Sequence, residues 1–286
     1  MSSTVGASSS VQSRIRSRSV SRSTAPLCHG RRAVVASFVG WRDPSHPRDT
    51  RYPFVAIQVV ILAAGLGTRL GKPHPKPLTP LNTGESIMRR AVNSLRAVYG
   101  DEVFVTAVVG FKLDLVIEAM PDISFVYNEV YDSTNTSKSL LKALRLSQPG
   151  GVLWLNGDVV FDRRVLGLIH DKIEAGRSFV CVNTASVAEE EVKYTLDDDG
   201  YIRELSKSVV DGLGEAVGIN YVAGEDKAAL IARLDEADDQ DYFERGLELA
   251  IERDGMRVEA VDISQYQVVE VDFEDDLSRA NSFVEG

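Results

Sequence analysis

Three short segments of the chain hold residues whose types and spacing suit phosphoryl chemistry. The first is Leu62-Ala63-Ala64-Gly65-Leu66-Gly67-Thr68-Arg69-Leu70, followed by Pro75-Lys76-Pro77-Leu78. A glycine-rich turn directly after a strand presents backbone N–H groups that can cradle phosphates. The prolines restrict the backbone around Lys76, so its side chain can be held pointing inward. Arg69 and Lys76 around one loop suit a triphosphate whose charge must be neutralised during transfer. The second segment is Leu155-Asn156-Gly157-Asp158, ending a predicted strand. Ligands in open α/β sheets bind outside such strand ends, and a carboxylate there can hold Mg²⁺ against triphosphate oxygens. The third is Glu270-Val271-Asp272. Alternation puts Glu270 and Asp272 on one face of a strand, where two carboxylates repel unless a cation lies between them. These three acids, Asp158, Asp272 and Glu270, are the candidate metal ligands.

Other chemistries fit poorly. The dinucleotide fingerprint needs glycine where Leu70 stands, and a P-loop needs Ser or Thr where Pro73 stands. His29, His46, His74 and His170 lack zinc-site spacing. There is no G-x-S-x-G nucleophile elbow. Two cysteines, Cys28 and Cys181, exclude a disulfide framework. The net charge of −10 argues against a nucleic-acid partner. Apolar runs such as Val59–Ala64 fall far short of the roughly 20 residues that a membrane helix needs, so a cytoplasmic enzyme with no membrane partner is expected.

The elements that must position these residues follow from periodicity. Residues 57–63, 103–109, 123–127, 152–155 and 179–182 read as strands. They alternate with amphipathic helices over 85–98, 113–120, 139–146 and 163–175. This alternation predicts right-handed crossovers and an α/β, three-layer, Rossmann-like mixed sheet, mainly parallel. Residues 192–196 and 201–205 read as a hairpin turning at Asp197-Asp198-Asp199-Gly200, the core of a small antiparallel insertion over 189–223. Later helices are expected at 226–234, 242–253 and 274–284, with strands at 258–261 and 267–271. Residues 209–214 are a candidate mobile loop. Residues 1–55 form a separate segment. Residues 1–56 hold nine arginines, no lysine and only Asp43 and Asp49, so they carry +7 and leave −17 for the rest. Ten of the first 24 residues are serine. Such a basic Arg/Ser-rich tail buries too little apolar surface to order itself, and its composition also fits an organelle transit peptide. The ordered domain is expected over 56–286.

The A-A-G-x-G-x-R-L run followed by P-K-P-L resembles the signature of nucleotidyltransferases that join an NTP to a phosphorylated small molecule. The resemblance covers roughly residues 57–286 and leans to the phosphocholine and phosphonate cytidylyltransferase branch. It implies that Leu62, Ala63, Ala64, Gly65, Gly67 and Thr68, with Gly110, bind the nucleotide, while Arg69 and Lys76 contact its phosphates. Asn135-Thr136-Ser137-Lys138-Ser139-Leu140 resembles the T-N-x-x-S-L stretch of that branch, which lies by the nucleotide. Thr136, Ser137 and Ser139 can read a base edge or cap a helix. Lys138 departs from the pattern and is assigned, with Lys193 and Lys207 beside the hairpin, to the acceptor. Tyr127, Tyr131, Tyr194 and Tyr221 could supply an aromatic cage for a quaternary ammonium. The expected reaction is Mg²⁺-dependent transfer of CMP from CTP to a small phosphonate or phosphate monoester, with a slight lean to a phosphonate in a cationic pocket. The alternatives are a sugar-1-phosphate nucleotidyltransferase using UTP, dTTP or GTP, and a catalytically silent nucleotide-binding regulator.

Overall fold

The structure is a computed structural model. It describes residues 57–286 except 101, 102, 186, 188, 189, 285 and 286. The tail expected over 1–55, and the transit-peptide reading with it, lie outside the described residues. So do the side chain of Thr68 and the start of the insertion at residue 189.

The central sheet runs in the order β10-β6-β9-β4-β1-β2-β3. Its strands are β1 (Gln58–Ala63), β2 (Phe104–Val109), β3 (Ser124–Tyr127), β4 (Val152–Asn156), β6 (Phe179–Asn183), β9 (Glu215–Val222) and β10 (Glu259–Asp262). β1 pairs in parallel with both β2 and β4, β2 with β3, and β10 with β6. β9 is antiparallel to both its neighbours, β4 and β6. The mixed, mainly parallel sheet expected from the sequence is therefore present.

Strand alternation explains the three layers. Val59, Ile61 and Ala63 of β1 enter one core, under α1 (Ile87–Tyr99), α2 (Leu113–Ala119) and α4 (Arg164–Glu174). Val60, Leu62 and Ala64 enter the other, under α3 (Thr136–Leu146), α5 (Lys227–Glu236) and α6 (Phe243–Asp254). Trp154 of β4 is fully buried in this second core, edge-on to Phe243 of α6. With helices on both faces, the inner strands satisfy their backbone within the sheet and their side chains in two cores.

Two features differ from the sequence reading. The extent of the antiparallel insertion over 189–223 is corrected: β9, within that range, lies inside the main sheet, between β4 and β6. Its residues from Val217 to Val222 are all buried, the signature of a strand covered on both faces. The hairpin itself, β7 (Lys193–Leu196) and β8 (Ile202–Ser206), joins the sheet only where Lys193 pairs with Glu215. Its turn closes at Gly200, in the left-handed φ region. The second feature is a two-stranded ribbon of β5 (Val159–Phe161) and β11 (Val268–Glu270). A three-residue strand such as β5 is too short for periodicity to reveal. The last helix, α7 (Glu274–Val284), packs with the ribbon through Val160, Val269, Val271 and Ala280. No helix among the described residues is long and apolar enough to cross a membrane.

Gly110, expected at the nucleotide, is tightly packed between Tyr131 and Ala64. It follows β2 and is not among the cavity-lining residues described below. A β-carbon there would stand 2.5 Å from the Tyr131 side chain and 2.7 Å from the Ala64 carbonyl oxygen. Its role is to let the two walls of the glycine loop approach. Gly110→Ala should cost about 1–3 kcal/mol through overpacking, and each kcal/mol lowers Tm by about 2–4 °C in a domain of this size. Thermal melting checks this; an unchanged Tm would show that the loop yields freely.

Candidate active site

A cavity of about 690 Å³ opens at the carboxyl ends of β1 and β4. Its floor is the loop after β1. Gly67 takes a left-handed conformation (φ 59°), and a β-carbon there would lie 2.9 Å from the Lys76 Cβ. The glycine thus serves a close approach between the loop and Lys76. The chain then makes a 3₁₀ turn over Lys76–Leu78, fixed by Pro75 and Pro77, with Leu78 N–H donating to the Pro75 carbonyl.

Asp158 arrives from the turn between β4 and β5. Gly157 N–H donates to the Leu62 carbonyl, and a β-carbon on Gly157 would stand 2.6 Å from that oxygen. The turn is thereby pressed against β1. Val271 N–H donates to the Asp158 carbonyl, which brings the end of β11 alongside. Asp272 follows directly. Its N–H and that of Phe273 donate to the Asp276 carboxylate, which caps the start of α7. The acidic run at 274–276 occupies that helix N-terminus, where negative charge is favoured.

Lys76 closes this arrangement. Its Nζ donates to Asp158 Oδ2 at 2.6 Å and to Asp272 Oδ1 at 2.5 Å, and its side chain is 11% exposed. Arg69 Nη1 donates to Asp272 Oδ2 at 3.0 Å. Burial alone would lower the Lys76 pKa, but the charges of the two aspartates and the hydrogen bonds to them outweigh it and raise the pKa. Burial likewise pushes Asp272 upward, and Lys76 and Arg69 reverse this, leaving it below the usual carboxylate range. Lys76 and Arg69 together balance the charges of Asp158 and Asp272.

Glu270 also lines the cavity, where its Oε1 accepts from Asn156 Nδ2 at 3.2 Å. Burial and the charges of Asp158, Glu191 and Glu244 hold its carboxyl well above the usual range. The cavity further collects Leu62, Ala63, Ala64, Gly65, Thr136, Ser139 and Lys207. Asn135 caps α3 by accepting from Thr136 N–H, and Thr136 Oγ1 accepts from Phe243 N–H. Ser139 pairs with Asn128.

Four expected contacts are corrected. Lys138 does not face the cavity: its Nζ donates to the carbonyls of Leu234, Asp235 and Ala237, capping the end of α5. Those carbonyls lack helical partners, which explains their hold on a cation. Ser137 is fully buried behind the lining, with its N–H toward the Asp241 carbonyl. Lys193 is absent from the lining, paired into the hairpin edge. Of the four tyrosines weighed for a cage, only Tyr131 lines the cavity; Tyr194 and Tyr221 are core and Tyr127 is exposed elsewhere.

Sequence reasoning missed Asn156, Glu191, Glu215, Tyr242 and Glu244, all of which line the cavity. Tyr242 lies beneath Lys207, whose Nζ is 4.9 Å from the ring centroid. Burial and the charge of Glu215 raise the Glu191 pKa, and burial pushes Glu244 up to about 7.

Among the described residues no group of three or more His, Cys, Asp or Glu converges as a metal cluster. The pair Asp158 and Asp272 nonetheless suits a hard cation. Asp158 Oδ1 is buried without a hydrogen-bond partner among the described residues, and all the donors are oxygens.

Comparison with known proteins agrees with this geometry. A family profile described as "MobA-like NTP transferase domain" matches residues 59–241, more than half of the chain. A stretch of 121 residues is 38% identical to CMP-5'-(3-aminopropyl)phosphonate synthase of Streptomyces rubellomurinus, covering 39% of this chain and 19% of that protein. The bifunctional protein GlmU of Thermoanaerobacter pseudethanolicus is 26% identical over 211 residues, covering 68% of this chain and 45% of that protein. The chain thus spans less than half the length of these relatives. Among solved structures, the inositol-1-phosphate CTP transferase from T. maritima superposes with a TM-score of 0.66 at 17% identity, over 81% of this chain and 98% of that one. The CTP:phosphocholine cytidylyltransferase from Streptococcus pneumoniae gives 0.60 at 18% identity, over 80% of this chain and all of that one. At these identities the likeness establishes the fold.

Replacing Lys138 tests its reassignment. Lys138→Met should destabilise the fold by about 0.5–2 kcal/mol, the worth of a cation at a helix C-terminus, and leave the Kd for CTP unchanged. Urea unfolding and calorimetric titration measure the two; weakened CTP binding with unchanged stability would restore Lys138 to the site.

Proposed function

The chain belongs to the MobA-like NTP transferase domain family, and from that premise we propose that it transfers CMP from CTP to a small phosphonate or phosphate monoester, releasing pyrophosphate. The observation that carries this reading is Lys76 held between Asp158 and Asp272 beside the glycine loop.

An oxygen of the acceptor attacks the α-phosphorus of CTP in line. The new P–O bond forms as the bond to the β-phosphate oxygen breaks, and pyrophosphate leaves with the electron pair. The step brings two anions together, so the protein's task is positioning and charge neutralisation. Backbone N–H groups of the loop from Gly65 to Gly67 cradle the triphosphate, and Arg69 and Lys76 face its oxygens. Lys76 is ordered before substrate arrives, because two carboxylates and two prolines fix it. Preorganised charge acts most on the transition state. Asp158 and Asp272 would hold Mg²⁺, which when bound supplies further neutralisation of the triphosphate. Lys207, steadied over Tyr242, faces the acceptor's anionic group. Thr136, at the start of α3, and its neighbour Asn135 line the cavity where a base edge can be read. Identity with a protein whose name specifies a CMP product supports cytosine over other bases.

A second reading, transfer to a sugar 1-phosphate with UTP, dTTP or GTP, has support from a TM-score of 0.63 to a putative glucose-1-phosphate thymidylyltransferase from Bacillus anthracis. Pyrophosphate release with each nucleotide separates the two. CTP should be preferred, because a site that pairs with the cytosine amino group leaves polar groups unpaired with the wrong base. Comparable kcat/KM with UTP or dTTP would favour the sugar reading. Lys76→Ala should lower kcat by about two to three orders of magnitude, the usual cost of losing one preorganised charge, with little change in the Kd for CTP. Lys76→Arg should rescue only partly, since a guanidinium lacks the compact ammonium geometry. If Lys76→Ala retains kcat and only raises KM, the lysine binds substrate and transition state alike.

A further inference from the structure

Three of the four carboxylate oxygens of Asp158 and Asp272 are already committed. Lys76 Nζ donates to Asp158 Oδ2 at 2.6 Å and to Asp272 Oδ1 at 2.5 Å, and Arg69 Nη1 donates to Asp272 Oδ2 at 3.0 Å. The fourth, Asp158 Oδ1, is buried with no hydrogen-bond partner among the described residues. A hard divalent cation needs several oxygen ligands, at about 2.0–2.1 Å for Mg²⁺. A cation bridging the two aspartates through their facing oxygens would therefore take the place the ammonium now holds. Two like charges repel strongly at such range in a site shielded from water.

The two basic residues hold the carboxylates unequally. The Lys76 side chain is 11% exposed and engages both aspartates. It rises from a turn that Pro75 and Pro77 fix, with Gly67 close against its Cβ. The Arg69 side chain is 54% exposed and reaches one oxygen of one aspartate, a pair that water screens. The buried lysine is therefore the stronger guard of the pair. Two of its three N–H donors go to the carboxylates, which leaves one for a phosphate oxygen.

We infer that Lys76 is the resident counter-ion of Asp158 and Asp272, and that it keeps a divalent cation from binding this pair until a nucleoside triphosphate draws its charge away. This rests on the CMP-transfer reading above, with the two aspartates as metal ligands. Phosphate oxygens offer Nζ a second set of anionic acceptors within the same cavity. As Lys76 and Arg69 turn toward them, the inner carboxylate oxygens are freed and join Asp158 Oδ1 in facing a cation. Lysine then trades carboxylate contacts for phosphate contacts, so it adds little to nucleotide affinity. Its charge counts most where negative charge crowds in the transition state. Metal and nucleotide become coupled ligands, each strengthening the other by the same factor. The arrangement also protects the free protein, since a bare aspartate pair would collect whichever divalent cation binds tightest.

The test measures metal binding by the full chain with no nucleotide present. Mn²⁺ is the probe, and electron paramagnetic resonance reads its free concentration. Lys76→Met, which keeps the side-chain length and removes the charge, should bind Mn²⁺ at least about tenfold more tightly than the wild type, within the range usual for coupled sites. Adding Asp158→Asn to that variant should abolish the gain. Arg69→Met should gain less; an equal gain would move the guard to the arginine and overturn its assignment to Lys76. Equal Mn²⁺ affinity in wild type and Lys76→Met, or a gain that survives Asp158→Asn, would also overturn the inference. Because Lys76→Met leaves two carboxylates facing each other, its melting is followed with and without Mn²⁺. A variant that is unstable alone should recover Tm when Mn²⁺ replaces the lost charge, and no recovery would count against the counter-ion role. Pyrophosphate release from CTP by the wild type is measured separately. Tighter Mn²⁺ binding by Lys76→Met, with no pyrophosphate released from CTP by the wild type, would sink the CMP-transfer reading and leave the counter-ion role standing.

Discussion

The structure depends on one buried lysine shared between two carboxylates. Lys76 joins chain segments that are 82 and 196 residues away in sequence. Each of the three groups would be costly to bury alone, because desolvation penalises an isolated charge. Together with Arg69 they are neutral, and that neutrality lets strand ends, the glycine loop and the head of α7 converge on one point. The surrounding backbone serves the same end. Gly67 and Gly157 lack side chains where the chain must pass within van der Waals contact of Lys76 and of β1.

The same balance shapes what the cavity can accept. Around Lys76 the charges of Asp158 and Asp272 are matched by Lys76 and Arg69, so the added negative charge of a triphosphate would call for added positive charge. That requirement fits the buried, unpartnered oxygen of Asp158. The same lining holds Glu191 and Glu244, the latter pushed up to about 7 by burial.

Most of the fold was legible because it rests on local periodicity. Alternating strands and helices, the glycine loop and the strand-end aspartates all follow from patterns a few residues long. The placement of β9 was less visible, yet its near-continuous apolar run marked a strand buried on both faces. The β5 strand was not legible, since three residues between a turn and a helix carry no period. The site showed the same division. Arg69, Lys76, Asp158 and Asp272 are announced by their loops and strand ends. Glu191, Glu215 and Glu244 are acids in a hairpin lead, a strand start and a helix first turn, where charge is ordinary. Only tertiary packing of α6 against the hairpin buries Glu244. Lys138 misled for the converse reason: its helix start suits a ligand contact, but α5 offers it three open carbonyls at closer range.

Chain order adds a consequence for biosynthesis. The sheet cannot seal between β4 and β6 until β9 has emerged, roughly forty residues after β6 begins. Asp272 emerges later still, just after the last strand described. During translation, then, Lys76 and Asp158 lie ready long before their third partner exists. Contacts of such high sequence separation form late and slow the final step of folding. A ribosome-bound intermediate would hold an exposed sheet edge and an unbalanced charge at its heart, the state most open to misassembly and to chaperone capture. Completion of the ion pair therefore waits until the segment between β11 and α7 has been made.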